Sequence, residues 1–139
     1  YRKNNVLLNI GVTYGVDAEL KYLLNHSQPG LNHFIQGNET DLKGDIIHVP
    51  VKNVNDILDE YAMRDIDVLD IDVEGMDYDI LETIDFAKHP TKIICAEYGY
   101  KGLKGMREMM QERGFLHYTS TRENHIYVAK DVMDKLLSC

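Results

Sequence analysis

Hydrophobic and polar residues alternate along the first third of the chain in a way that predicts short strands. The predicted strands cover residues 6–12, 16–24 and 46–51. Gly15 and Asp17 supply turn residues where the first two strands would meet, so we expect a hairpin there. Pro50 lacks a backbone N–H and places the third strand at a sheet edge. Between strands, residues 25–45 predict a long loop, either a binding lid or a flexible surface segment.

From residue 54 onward the hydrophobic period changes, and helices alternate with strands. Val54, Leu58 and their neighbours lie on one face of a helix for which Asn53 is a suitable N-cap. The predicted helices are 54–61, 77–86, 103–113 and 132–137, and the predicted strands are 66–74, 92–97, 115–119 and 125–129. This alternation predicts a mostly parallel α/β sheet with right-handed crossovers. A polar turn around residues 122–124 gives the sheet an antiparallel terminal strand pair.

Carboxylates mark the ends of the two most apolar strands. Asp70, Asp72 and Glu74 alternate with apolar residues before Gly75, and Glu97 ends the next strand. In open α/β sheets ligands bind at the carboxyl ends of the strands, which is where Asp72, Glu74 and Glu97 would meet. Asp70 lies deeper in its strand, so we expect it to face solvent or to meet a basic side chain.

Length, composition and charge limit the number of domains and the classes of binding partner. The 139 residues predict one domain, with a strand, hairpin and loop region over 1–52 and an α/β core over 53–139. A formal net charge of -8 argues against nucleic acid as a partner. The sequence has only two cysteines, no apolar run of about 18 residues and no signal-peptide pattern. These features predict a cytoplasmic protein with no membrane partner.

The grouped carboxylates favour proton-transfer chemistry. Three of them close together would raise the pKa of at least one, which then suits a general base near neutral pH. A divalent cation is the less favoured occupant. A structural role stays open, because Asp72 would also suit a helix cap and Glu74 a turn. Other polar residues have no metal spacing and are read as surface, strand or rim residues: His33, His48, His117, His125, Tyr98 and Tyr100.

The order of these elements resembles the second half of a class I methyltransferase with a Rossmann-like sheet, and more specifically the FkbM-type family. Ile-Asp-Val-Leu-Asp-Ile-Asp-Val-Glu-Gly over residues 66–75 is similar to the family's Ile-Asp-Leu-Leu-Lys-Ile-Asp-Val-Glu-Gly run. Residues 93–98 resemble its next strand, which ends in Glu. Residues 6–13, 29–31 and 46–61 match earlier elements by order and spacing.

The resemblance implies an S-adenosylmethionine-dependent methyltransferase that methylates a hydroxyl group of a small molecule or sugar. It implies catalytic roles for Asp72, Glu74 and Glu97, and cofactor-binding roles for Asn9, Gly11 and Asp72. Asp72 and Glu97 also occupy places similar to the metal ligands of catechol-type O-methyltransferases.

Two departures from the family pattern qualify this expectation. Asp70 stands where the family has Lys. The chain also has no G-x-G-x-x-G loop and no acidic residue ending a following strand, so the first cofactor-binding strands are absent from it. It is therefore part of a longer methyltransferase or an inactive module for assembly or interaction. Without those strands, the strand over 66–74 would be a sheet edge, which predicts a homodimer or a strand-paired assembly.

Overall fold

A computed structural model divides the chain into two compact units, Tyr1–Tyr61 and Ala62–Cys139. The structure describes residues 5–16, 18–35, 37–61, 65–98 and 102–138. None of the helices in these ranges is long and apolar enough to cross a membrane. The prediction of a single domain, divided between residues 52 and 53, stays a prediction.

The first unit is built on a four-stranded sheet. Its elements are β1 (Gly11–Thr13), β2 (Glu19–Leu24), a 3-10 turn (Pro29–Leu31), β3 (His33–Phe34), β4 (Asp45–Asn53) and α1 (Val54–Tyr61). The strand order is β1-β4-β2-β3, and β4 runs parallel to β1 and antiparallel to β2. Asn53 caps α1 as expected, since its Oδ1 accepts the Asn55 N–H at 2.9 Å.

Three expectations for the first unit are wrong. β1 pairs with β4 and not with β2, so the hairpin does not form, and Asp17 of its turn lies outside the described residues. The predicted loop carries the 3-10 turn and β3. β4 is an interior strand despite Pro50. The Val51 N–H donates to Ala18 on the β2 side, so the missing N–H of Pro50 faces the β1 side, where pairing starts only at Gly11 and Val51.

The second unit carries a second four-stranded sheet with helices between its strands. Its elements are β5 (Ile66–Ile71), α2 (Asp77–Thr83), β6 (Thr91–Glu97), α3 (Gly102–Glu112), β7 (Phe115–Ser120), β8 (Asn124–Ala129) and α4 (Lys130–Leu137). The order is β5-β6-β8-β7, with β5 parallel to β6 and the other pairs antiparallel. This confirms the antiparallel terminal pair and the edge position of β5. The mostly parallel sheet is only partly correct, because each of the two sheets has one parallel pair.

The core of the second unit lies between its sheet and the helices that follow β5 and β6. Ile80 and Leu81 of α2, Ile94 of β6 and Met106 and Met110 of α3 are all less than 2% exposed. The methionines of α3 therefore form an inward-facing stripe, which agrees with their helical spacing in the sequence. Each such side chain contributes roughly 1.5–3 kcal/mol on burial. This packing fixes the carboxyl ends of β5 and β6, where the acidic residues begin.

Candidate active site

The acidic residues of the second unit gather where β5 and β6 end side by side. Ile71 of β5 pairs with Ala96 of β6, so Asp72 and Glu97 are the next residues on two adjacent parallel strands. Asp72 and Glu74 are exposed, and Glu97 is half-buried. We call Asp72, Glu74, Asp77 and Glu97 the acidic crevice. It brings together the three predicted catalytic residues and one that the sequence did not single out.

A sharp turn separates β5 from α2. Glu74 has φ of 51° and Gly75 has φ of 100°, so two consecutive residues adopt the left-handed region. That region costs a residue with a side chain roughly 1–2 kcal/mol, which Gly75 avoids and Glu74 does not. Strain of this kind is found at functional sites more often than in ordinary turns. The turn places Glu74 shortly after the carboxyl end of β5.

Glu97 has the electrostatic properties expected of a general base. Burial raises its pKa above the usual carboxyl range, and the negative charges of Asp77, Asp72, Glu74 and Glu123 raise it further. The sequence predicted that at least one clustered carboxylate would respond in this way. Glu97, the half-buried carboxylate at the end of β6, responds in this way.

Asp77 is the residue that sequence reasoning missed. It is the first residue of α2 and only 1% exposed, and neither carboxylate oxygen has a hydrogen bond of good geometry. Burial raises its pKa, although the nearby backbone N–H groups of Asp77, Val73 and Glu97 lower it in part. The available signal was its place, directly after the Gly75-Met76 pair in the turn between β5 and α2. A first-turn carboxylate is also favoured by the helix dipole, so this position alone does not mark Asp77 as a site residue.

Asp72 and Asp70 each had a structural role expected from the sequence, a helix cap for Asp72 and contact with solvent or a basic side chain for Asp70. Met76 occupies the N-cap position of α2 and its side chain makes no capping hydrogen bond, so Asp72 is not the N-cap residue of this helix. Asp70 is exposed, as one of the two expectations for it required. It pairs with Cys95 across the β5–β6 ladder. The pKa of the Cys95 thiol is raised, mainly by burial and further by the hydrogen bond and the charge of Asp70.

The predicted cofactor residues Asn9 and Gly11 lie in the first unit, whereas Asp72 lies in the second. Asn9 is exposed, and both residues line a cavity of about 280 Å³ with Tyr22, Phe34 and other apolar residues. A Cβ at Gly11 would overlap the Phe34 ring and come within 2.9 Å of Val51. Packing alone thus requires glycine there, and the cofactor role of both residues stays a prediction.

The histidines of the first unit and Tyr98 have defined partners. In the first unit His33 and His48 pair with Glu39 and Glu19. Tyr98 packs against His125, with ring centroids 5.1 Å apart, and Tyr100 lies outside the described residues. Within the described ranges, no three His, Cys, Asp or Glu side chains are arranged to hold a metal ion.

Comparison with known proteins gives one family match. The family model described as the methyltransferase FkbM domain matches residues 2–116, from before β1 into β7. No curated protein and no solved structure matches the chain. Because the matched residues make up well over half of the 139-residue sequence, the chain belongs to the FkbM methyltransferase family.

Proposed function

We propose that this protein is an S-adenosylmethionine-dependent methyltransferase that methylates a hydroxyl group of a small molecule or sugar. The observation that carries the proposal is the position of Glu97. It is half-buried at the carboxyl end of β6, beside Asp72, and its pKa is raised. Family membership supplies the reaction class, and the acidic crevice supplies the group that accepts a proton.

The residues of the crevice fit the proposed cofactor in charge. S-adenosylmethionine carries positive charge on its sulfur and on its amino group, and Asp72 and Glu74 offer exposed carboxylates at the strand ends. Asp72 would hold the cofactor in the second unit. For Asn9 and Gly11 of the first unit, a cofactor role is only what the family resemblance implies. When bound, the cofactor supplies a methyl group activated by its attachment to a sulfonium.

Glu97 is assigned the role of general base. A raised pKa brings a carboxylate closer to the operating pH, where an efficient base must lie, and Glu97 would take the proton of the acceptor hydroxyl. Asp72 and Glu74 raise its pKa through their charges and line the approach to it. The proton is released to solvent at the exposed mouth of the crevice.

Calorimetry and a methyl-transfer assay test this proposal. The full-length product of the gene is titrated with S-adenosylmethionine and then assayed with sugars and small hydroxylated molecules. Glu97→Gln should lower kcat by roughly 10²–10⁴-fold while leaving cofactor affinity nearly unchanged. Glu112→Gln on the exposed face of α3 is the matched control and should retain activity. Absence of cofactor binding by the full-length product would overturn the proposal.

A second candidate function, assembly through strand pairing, is favoured by one observation on β5. This strand is at the end of its sheet, and Val68 within it is 59% exposed. An apolar edge strand is a template for pairing with a second chain. Light scattering at high protein concentration should then show a dimer, and Val68→Lys should shift it to monomer. A monomer at all concentrations would exclude this function.

A further inference from the structure

Asp77 lies beneath the acidic crevice, and packing does not explain why this position carries a charge. The residue is 1% exposed, and neither of its carboxylate oxygens has a hydrogen bond of good geometry. An asparagine of almost the same shape would fill the same space without a charge to desolvate. Groups that lower the stability of a fold are concentrated at functional sites, so the buried carboxyl group indicates a role in the crevice.

The position of Asp77 connects the two strand ends that form the crevice. Asp77 is the first residue of α2, and its carboxylate lies near two backbone N–H groups of these strand ends. They belong to Val73, in the turn after β5, and to Glu97, the last residue of β6. The contacts are not well-formed hydrogen bonds. Catalytic hydrogen bonds are often long in a free enzyme and tighten when the substrate binds, so this carboxylate is placed to fix both strand ends.

The charge of Asp77 also acts on the Glu97 side chain. The charges that raise the pKa of Glu97 belong to four carboxylates, which are, in decreasing order of effect, Asp77, Asp72, Glu74 and Glu123. The last three are exposed, so water and salt screen their charges, whereas Asp77 is buried. The buried charge therefore has more influence on Glu97 than the exposed acids around it, in the direction that a general base requires.

We propose that Asp77 is a positioning residue for Glu97, which holds the end of β6 in place and supplies the buried charge that the general base faces. Asp77 does not itself touch the substrate, because it is almost fully buried. Its role in catalysis rests on the proposed methyltransferase function, whereas its electrostatic coupling to Glu97 does not. The two contributions are separable, since asparagine keeps an acceptor oxygen but loses the charge, and alanine loses both.

Nuclear magnetic resonance of the Glu97 carboxyl carbon tests the coupling in the full-length product of the gene without cofactor. The signal is assigned by its loss in Glu97→Gln. In the parent it should titrate over a broader pH range than an independent carboxyl group, because Asp77 gains negative charge in the same range. In Asp77→Asn the curve should move to lower pH and become narrower, because the neighbouring charge is gone.

Glu123→Gln is the matched control for charge. It also removes a negative charge that acts on Glu97, but from an exposed position between β7 and β8, so the curve should move less than in Asp77→Asn. Coupling between two sites is reciprocal, so the Asp77 carboxyl group should titrate at lower pH in Glu97→Gln. This second measurement decides the question if Asp77→Asn does not fold.

Methyl-transfer kinetics test the positioning role. Asp77→Ala should lower kcat by about 10²-fold with KM nearly unchanged, since a small displacement of a catalytic group is enough for a loss of that size. Asp77→Asn should recover most of this loss at high pH, and its rate should begin to rise at lower pH than that of the parent. Asp79→Asn, at a half-exposed position in the same helix, should keep the rate and the pH profile of the parent.

The proposal is overturned if the Glu97 titration is the same in Asp77→Asn and in the parent, or if Asp77→Asn and Asp77→Ala lower kcat equally. Because the titration uses neither cofactor nor acceptor, this failure is distinguishable from failure of the methyltransferase proposal. The latter would appear as absent S-adenosylmethionine binding with the coupling of the two carboxyl groups intact.

Discussion

Replacing Asp77 with asparagine should stabilise the protein at neutral pH. The Asp77 carboxyl is 1% exposed, and its oxygens lack well-formed hydrogen bonds, so ionisation in the folded state is opposed by burial. A buried, unsatisfied polar group costs roughly 1–3 kcal/mol, and more when it is charged. Asparagine has nearly the same shape and no charge. Because the amide stays buried, only the cost of the charge is removed, and the free energy of unfolding at pH 7 should rise by roughly 1.4 kcal/mol for each unit by which the pKa of Asp77 is raised.

The raised pKa of Asp77 determines how the stability gain of Asp77→Asn changes with pH. The folded-state pKa of Asp77 is raised above the ordinary value of 3.8, so the folded protein binds more protons than the unfolded chain above that pH. Asp77 therefore lowers stability as the pH rises from 3.8 through the folded-state pKa. The advantage of Asp77→Asn should be smallest at low pH and largest above the folded-state pKa.

Urea unfolding between pH 4 and pH 8 measures both effects, because the midpoint and slope give the free energy at each pH. Asp79→Asn is the control. It removes the same charge from a half-exposed position in the same helix and should cost about 0.3–1 kcal/mol through the helix dipole. The reasoning is refuted if Asp77→Asn is less stable than the parent at pH 7, or if its advantage does not grow with pH.

Three further outcomes are expected. Gly11→Ala should destabilise the first unit by about 1–3 kcal/mol in urea unfolding, because its Cβ would overlap the Phe34 ring; an unchanged midpoint would contradict that packing. Met110→Ala should cost roughly 2–5 kcal/mol, since the side chain is fully buried on the inner face of α3, and a loss below this range would show that the site collapses. Methyl transfer should rise with pH above the ordinary carboxyl range as Glu97 ionises, and Glu97→Gln should remove this rise; an identical pH profile in the variant would exclude Glu97 as the base.

The elements that could be predicted are those whose local pattern and tertiary environment agree. The methionine stripe of α3 has helical spacing and is buried, and Asn53 precedes a clear amphipathic helix and caps it. β5 and β6 are apolar runs that end in acids, and they form the parallel pair. For the helices the hydrophobic period decides the element, and for β5 and β6 the short length and β-branched content of the apolar run favour a strand.

The elements that were missed depend on pairing partners that are distant in sequence. Pro50 sits in an interior strand because its missing N–H falls just where β1 begins to pair, which no local pattern shows. A register shift in β7, between His117 and Thr119, depends on its pairing with β8. Asp77 looks like an ordinary first-turn acid until the packing of α2 on the sheet buries it. Register and burial are tertiary properties, so sequence periodicity does not encode them directly.

Binding of S-adenosylmethionine by the full-length product of the gene tests the central claim most directly. Isothermal titration calorimetry should give a saturable one-site curve with a dissociation constant in the range of about 1 μM–1 mM typical of enzyme substrates. Glu97→Gln should bind with the same affinity, because Glu97 is assigned to the proton and not to the cofactor. No heat and no thermal shift at saturating cofactor would contradict the account.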